Sequence, residues 1–160
     1  FWPMSNEDAI RTTLGDEWIP AIYENKVRTQ RTRSYKLEVP ARENIADINY
    51  TLLGIELKVG KRRFACPDLA AARYMRVFAR FGCSDFAIPY DISKISATAD
   101  ELETSWQRTL LILGSLVQDK PARTAASLRT RLVKAIRTQI EAIGPGDAMP
   151  AFDRQTRQRP

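Results

Sequence analysis

Ile48-Asn49-Tyr50-Thr51-Leu52-Leu53-Gly54-Ile55-Glu56-Leu57-Lys58-Val59-Gly60-Lys61-Arg62-Arg63-Phe64-Ala65-Cys66 is the stretch on which the fold turns. Ile55, Leu57 and Val59 alternate with Glu56 and Lys58, the period of a strand with one buried face. Ile48 to Leu53 reads as the strand before it, set off by Gly54. Gly60-Lys61 reads as a tight turn, and Arg62 to Cys66 as the returning strand.

Downstream, Pro67-Asp68 opens a helix, with proline in its first turn followed by an acid. Ala71, Tyr74, Met75, Val77, Phe78, Ala79 and Phe81 form its broad apolar arc, Arg73, Arg76 and Arg80 share the remaining stripe, and Gly82 ends it. Phe86 to Tyr90 reads as a short strand. Ile95, Ala99, Leu102, Trp106, Thr109, Leu113 and Leu116 then recur at helical spacing. Asp119-Lys120-Pro121 breaks that helix and starts another, which runs to Ile143 and stops at Gly144-Pro145-Gly146. Upstream, Ser5 caps a first helix through Leu14, a helical turn or two follows over Asp16 to Asn25 with Pro20 inside, and Val27 to Val39 reads as an edge strand.

The order predicts an α+β (or mixed α/β) fold: a small sheet with a packed helix, then a long C-terminal α-helical hairpin. Residues 1–146 are expected to form one domain, with the sheet and helix part in 1–92 and the hairpin in 93–146. Residues 147–160, with Arg154, Arg157 and Arg159, read as a basic flexible tail. A chain of 160 residues, 44% of them hydrophobic, can bury a real core. No stretch combines a basic start, an apolar run and a small-residue cleavage site, and no apolar run is long enough to span a bilayer. The expectation is a cytoplasmic protein without a membrane partner. Phe1-Trp2-Pro3 precede Met4, which reads as a native start. Cys66 and Cys83 bracket one helix, so their ends lie about 20 Å apart and no bridge between them is expected.

The chain has no histidine, which excludes Ser-His-Asp and Cys-His catalysis, His-ligated zinc and a His base. Carboxylates, lysine and a hard metal such as Mg²⁺ are left. Asp47 precedes Ile48 to Gly54, and Glu56-Leu57-Lys58 follows, with Glu56 and Lys58 on one face of a strand. This arrangement resembles the signature of the PD-(D/E)xK nuclease superfamily over roughly residues 17–92. The resemblance implies a nuclease in which Asp47 and Glu56 bind Mg²⁺ and Lys58 orients or activates water, with Glu24 assisting from the first helical segment. The pattern departs from the family's in reading Ala46-Asp47 where Pro-Asp is usual, with Pro67-Asp68 after the motif. The same residues also fit a solvated strand face.

Lys+Arg 25 against Asp+Glu 19 leaves a net charge of +6, and residues 26–80 hold thirteen of the bases against five acids. Lys26, Arg28, Arg31, Arg33 and Lys36 lie in an acid-free run with Tyr35. Lys58, Lys61, Arg62 and Arg63 cluster about a turn, and Arg73, Arg76 and Arg80 line the helix. The planar fork of arginine suits phosphate, so nucleic acid is the leading partner, bound by Arg31, Arg33, Lys61, Arg62, Arg63, Arg73, Arg76 and Arg80. The alternative is a non-catalytic interaction module that homodimerises through its helical hairpin and binds an acidic protein partner. A third is a surface whose bases pair with the acids of residues 1–25 and 81–120.

Overall fold

The computed structural model describes residues 5–145. Helix α1 spans Asn6–Leu14; the Ser5 hydroxyl caps it by accepting the Asp8 N–H at 3.2 Å. A 3₁₀ turn, Gly15–Glu17, leads to α2 (Ile19–Ile22), which continues as a π-helical turn over Tyr23–Val27. Pro20 does not interrupt this segment, because it sits in the first turn of α2, where no N–H is required. Strand β1 is Thr32–Lys36, shorter than the expected 27–39, since Val27 closes the π turn and is buried there.

Strands β2 (Ala46–Thr51), β3 (Gly54–Val59) and β4 (Arg62–Cys66) form the antiparallel meander. Its first turn is not at Gly54 alone. Leu52 and Leu53 make the turn, and Gly54 opens β3 at φ +126°. The Thr51 hydroxyl organises it, accepting the Leu53 N–H at 3.2 Å and donating to the Gly54 carbonyl at 3.0 Å. Helix α3 is Leu69–Phe81, capped by the Asp68 carboxylate on the Ala71 N–H at 2.8 Å and ended by Gly82 at φ +76°. Strand β5 (Asp85–Pro89) pairs antiparallel with β1, from Thr32–Pro89 to Lys36–Asp85. The strands therefore fall into two ladders, β1–β5 and β2–β3–β4, rather than one. Helices α4 (Ile92–Val117) and α5 (Ala122–Ile143) complete an α+β fold.

The inner face of the meander, the apolar arc of α3 and β5 share one core. Phe78 stacks on Phe86 with ring centres 4.4 Å apart, Tyr74 and Tyr23 close around Phe78, and Phe81 meets Trp106 edge-on at 4.9 Å. Helix α4, which packs chiefly on α3 and also on α1, α2, α5 and β5, buries Ile95, Ala99, Leu102, Trp106, Thr109 and Leu113. Helix α5 buries Leu128, Leu132, Val133, Ile136 and Ile140. Helix α1 packs on both α4 and α5, covering part of the hairpin's apolar surface within the chain. Leu113 is buried, and of the large apolar side chains in the hairpin it is Leu111 and Ile92 that are exposed. Among the described residues no helix is long and apolar enough to cross a membrane. The reading of residues 147–160 as a tail lies outside the described residues.

Candidate functional site

The register of the meander sets Asp47 opposite Lys58, Glu56 opposite Asn49 and Ala65, and Lys58 opposite Arg63. Leu57 and Val59 are buried, so Asp47, Glu56 and Lys58 share the outer face of the sheet. Glu56 is already engaged. Its Oε1 accepts Arg63 Nη1 at 2.8 Å, and its side chain is 17% exposed. Two carboxylates, one of them neutralised by an arginine, make a thin donor set for Mg²⁺. Among the described residues no group of three or more acids and cysteines gathers as a metal site. Glu24 is elsewhere, in a cleft of about 840 Å³ that also has Asp8, Arg11, Trp18 and Gln139 in its wall.

The basic residues divide into two sets. Arg73 pairs with Asp100 and with Glu103, the latter at 3.1 Å, and Arg76 pairs with Glu103 at 3.1 Å; both acids project from α4. The hydrogen bond that Arg73 donates to the Asp100 carboxylate, followed by the one to Glu103, holds its guanidinium above its ordinary range. Arg62 meets Glu38 at 2.7 Å. Arg80 is half-buried behind Arg76, and burial followed by that like charge lowers its proton affinity. Arg108 with Glu17, Arg131 with Glu7 and Lys26 with Glu101 extend the internal pairing. Lys61 stands exposed in the β3–β4 turn. On β1, the Arg33 guanidinium lies 5.8 Å from the Tyr35 ring centre, and just before the strand that of Arg31 lies 5.0 Å from the Tyr90 ring centre.

Arg33 is also in the wall of a cleft of about 420 Å³ that is otherwise largely apolar, with Pro67, Ala71, Pro89, Tyr90 and Ile92. Its Asp68 carboxylate is committed to the α3 cap. Ile55 pairs with Cys66, so β4 finishes beside the β2–β3 turn, and Pro67 and Asp68 continue from that end into the wall of the cleft. Leu52 and Leu53, at 106% and 101% exposure, and Tyr50, at 72%, crown the same end of the sheet. Leu69 and Ile92 are exposed as well.

Sequence reasoning brought Glu56 and Lys58 to one face, the β2–β3 register adds Asp47, and the turn was missed. Leucines seldom make turns, and the local signal was Thr51 three residues before Gly54, a hydroxyl able to bond the turn's own backbone. Compared with known proteins, the sequence matches no family model, no curated protein and no solved structure.

Proposed function

We propose that the protein is a non-catalytic interaction module that holds a partner protein at the end of the fold bearing the β2–β3 turn. One observation carries this reading: Leu52 and Leu53 are wholly exposed at the turn, with Tyr50, Leu69 and Ile92 exposed near an apolar cleft. The charge left open there is positive. Asp68 and Asp91 accept N–H groups of their own helices, whereas Arg33 makes no ion pair with a carboxylate among the described residues. The partner would offer apolar anchors flanked by acids. Peptides selected from a displayed random library should therefore combine Leu or Phe with Asp or Glu. Their affinity is expected to fall about a hundredfold for Leu52→Ser/Leu53→Ser, the scale of two lost leucine contacts, and to weaken as salt rises. Peptides that bind the double variant as tightly as wild type would overturn the reading.

A second reading, a Mg²⁺-dependent nuclease, is supported by the shared face of Asp47, Glu56 and Lys58. It requires Arg63 to release Glu56. Duplex DNA, single-stranded DNA and RNA incubated with and without Mg²⁺ test it on a gel. Cleavage that needs Mg²⁺ and disappears in Glu56→Ala is the result it expects. A salt-sensitive shift without cleavage would discard the active site and leave Arg33 on β1 and Lys61 in the β3–β4 turn as candidate phosphate contacts. Intact substrates and no shift would discard both.

A further inference from the structure

The outer edge of β2 is open. The Leu52-Leu53 turn closes on the Thr51–Gly54 pair, and bonded pairs alternate along an antiparallel ladder. Asp47, Asn49 and Thr51 therefore direct their backbone groups at β3, and Ala46, Ile48 and Tyr50 point theirs away from it. β2 pairs with β3 alone and otherwise packs on α3, and among the described residues no backbone bond takes up the outward groups. Exposed edges are usually guarded by a lysine, a proline or a bulge. Ala46–Thr51 has none of these, and Asp47 is its single charge.

We infer that this edge pairs with the same edge of a second copy, antiparallel and two-fold about Ile48. The outward residues then meet one another, Ile48 with Ile48 and Tyr50 with Ala46, in the phase that lets every outward N–H and C=O bond across. The side chains are self-complementary in this register. The large exposed ring of Tyr50 lies over the small Ala46 of the other chain, and Asp47 faces Asn49 rather than a like charge. The two meanders become one six-stranded sheet, both α3 helices lie on one side of it, and the two Leu52-Leu53 turns point in opposite directions. The inference uses residues other than those of the partner site and does not depend on it.

Sedimentation equilibrium of the full chain tests it. Wild type is expected to pass from monomer to dimer mass as concentration rises. Ile48→Pro removes one outward N–H while sparing the β3 ladder, and is expected to stay folded by circular dichroism and monomeric. Asn49 reports the register. Asn49→Asp, which sets like charges opposite Asp47, should weaken the dimer several-fold, and Asn49→Lys should tighten it. Both side chains lie on the open face, so these two variants keep the test decisive if the proline variant does not fold. A monomer mass held up to about millimolar concentration would overturn the inference. So would a dimer indifferent to both charges at Asn49, and one abolished by Leu111→Arg alone would assign association to α4.

Discussion

Gly82→Ala is expected to destabilise the fold by about 3 kcal/mol or more, well beyond the cost of a lost glycine. Gly82 ends α3 at φ +76°, a conformation that costs an L-residue about 1–2 kcal/mol. The larger part comes from a close approach. A Cβ there would stand 2.5 Å from the backbone N and O of Arg42 and 2.7 Å from the Pro40 carbonyl. That loop cannot easily withdraw. The Asn44 N–H donates to the Arg80 carbonyl at 2.9 Å, and its side-chain amide donates to the carbonyls of Ala79, Pro40 and Arg42 at 3.0, 2.9 and 3.0 Å. The linker from β1 to β2 is thus fastened over the end of α3. Gly60→Ala is the control: φ is +62°, nothing stands within 4 Å of its Cβ, and only about 1–2 kcal/mol should be lost. Urea midpoints at unchanged m-value measure both. Equal losses would mean that the approach to Pro40 and Arg42 contributes nothing.

The same glycine shows how far the sequence could be read. Its role as a helix stop follows from the apolar period of α3 ending at Phe81, a local signal. Its contact with residues 40–42 depends on where a distant loop crosses, which no local pattern encodes. The candidate site divides in the same way. Strand alternation was enough to bring Glu56 and Lys58 to one face, and Asp47 joined them through the pairing of β2 with β3. That Arg63 would engage Glu56 depended on the register of β4, which the Gly60-Lys61 turn sets. The stripe of Arg73, Arg76 and Arg80 was legible as a helical face, but its neutralising acids, Asp100 and Glu103, arrive only when α4 packs across α3. Periodicity identifies faces. It does not say what lies opposite a face, and here that decides whether an arginine can meet a phosphate.

The stability of the protein is expected to fall steeply above pH 9, because groups in the core must stay protonated. Burial pushes the Cys83 thiol from 9.0 up to about 12, with the negative charge of Glu141 adding to the effect. Burial likewise raises the Tyr23 hydroxyl from 10.0 to about 12, against a smaller opposing effect from the Ala87 N–H that it accepts at 2.8 Å. Tyr74, whose hydroxyl donates to the Ala87 carbonyl at 2.6 Å, is raised by burial too. The sign follows from proton binding. Above the unfolded values the unfolded chain releases these protons while the folded chain keeps them, so their contribution is complete below pH 9 and is lost as pH rises towards 12. Each group removes about 1.4 kcal/mol per pH unit within its window. Cys83 leads from pH 9 to 10, with the half-buried Cys66 thiol, also raised by burial, adding to it; Tyr23, Tyr74 and Tyr35 join above pH 10 and steepen the slope. Urea midpoints should be level between pH 7 and pH 9 and then drop, with Cys83→Ala making the drop between pH 9 and pH 10 markedly shallower. Tyr23→Phe separates the two parts of that residue's role. It strands the Ala87 N–H and removes the donor to the Gly144 carbonyl, lowering stability at neutral pH by about 1–3 kcal/mol, yet its profile above pH 10 should be shallower than wild type. A wild-type midpoint unchanged to pH 11 would show that water reaches these hydroxyl and thiol groups, and that α3, β5 and the π turn do not seal the core around them.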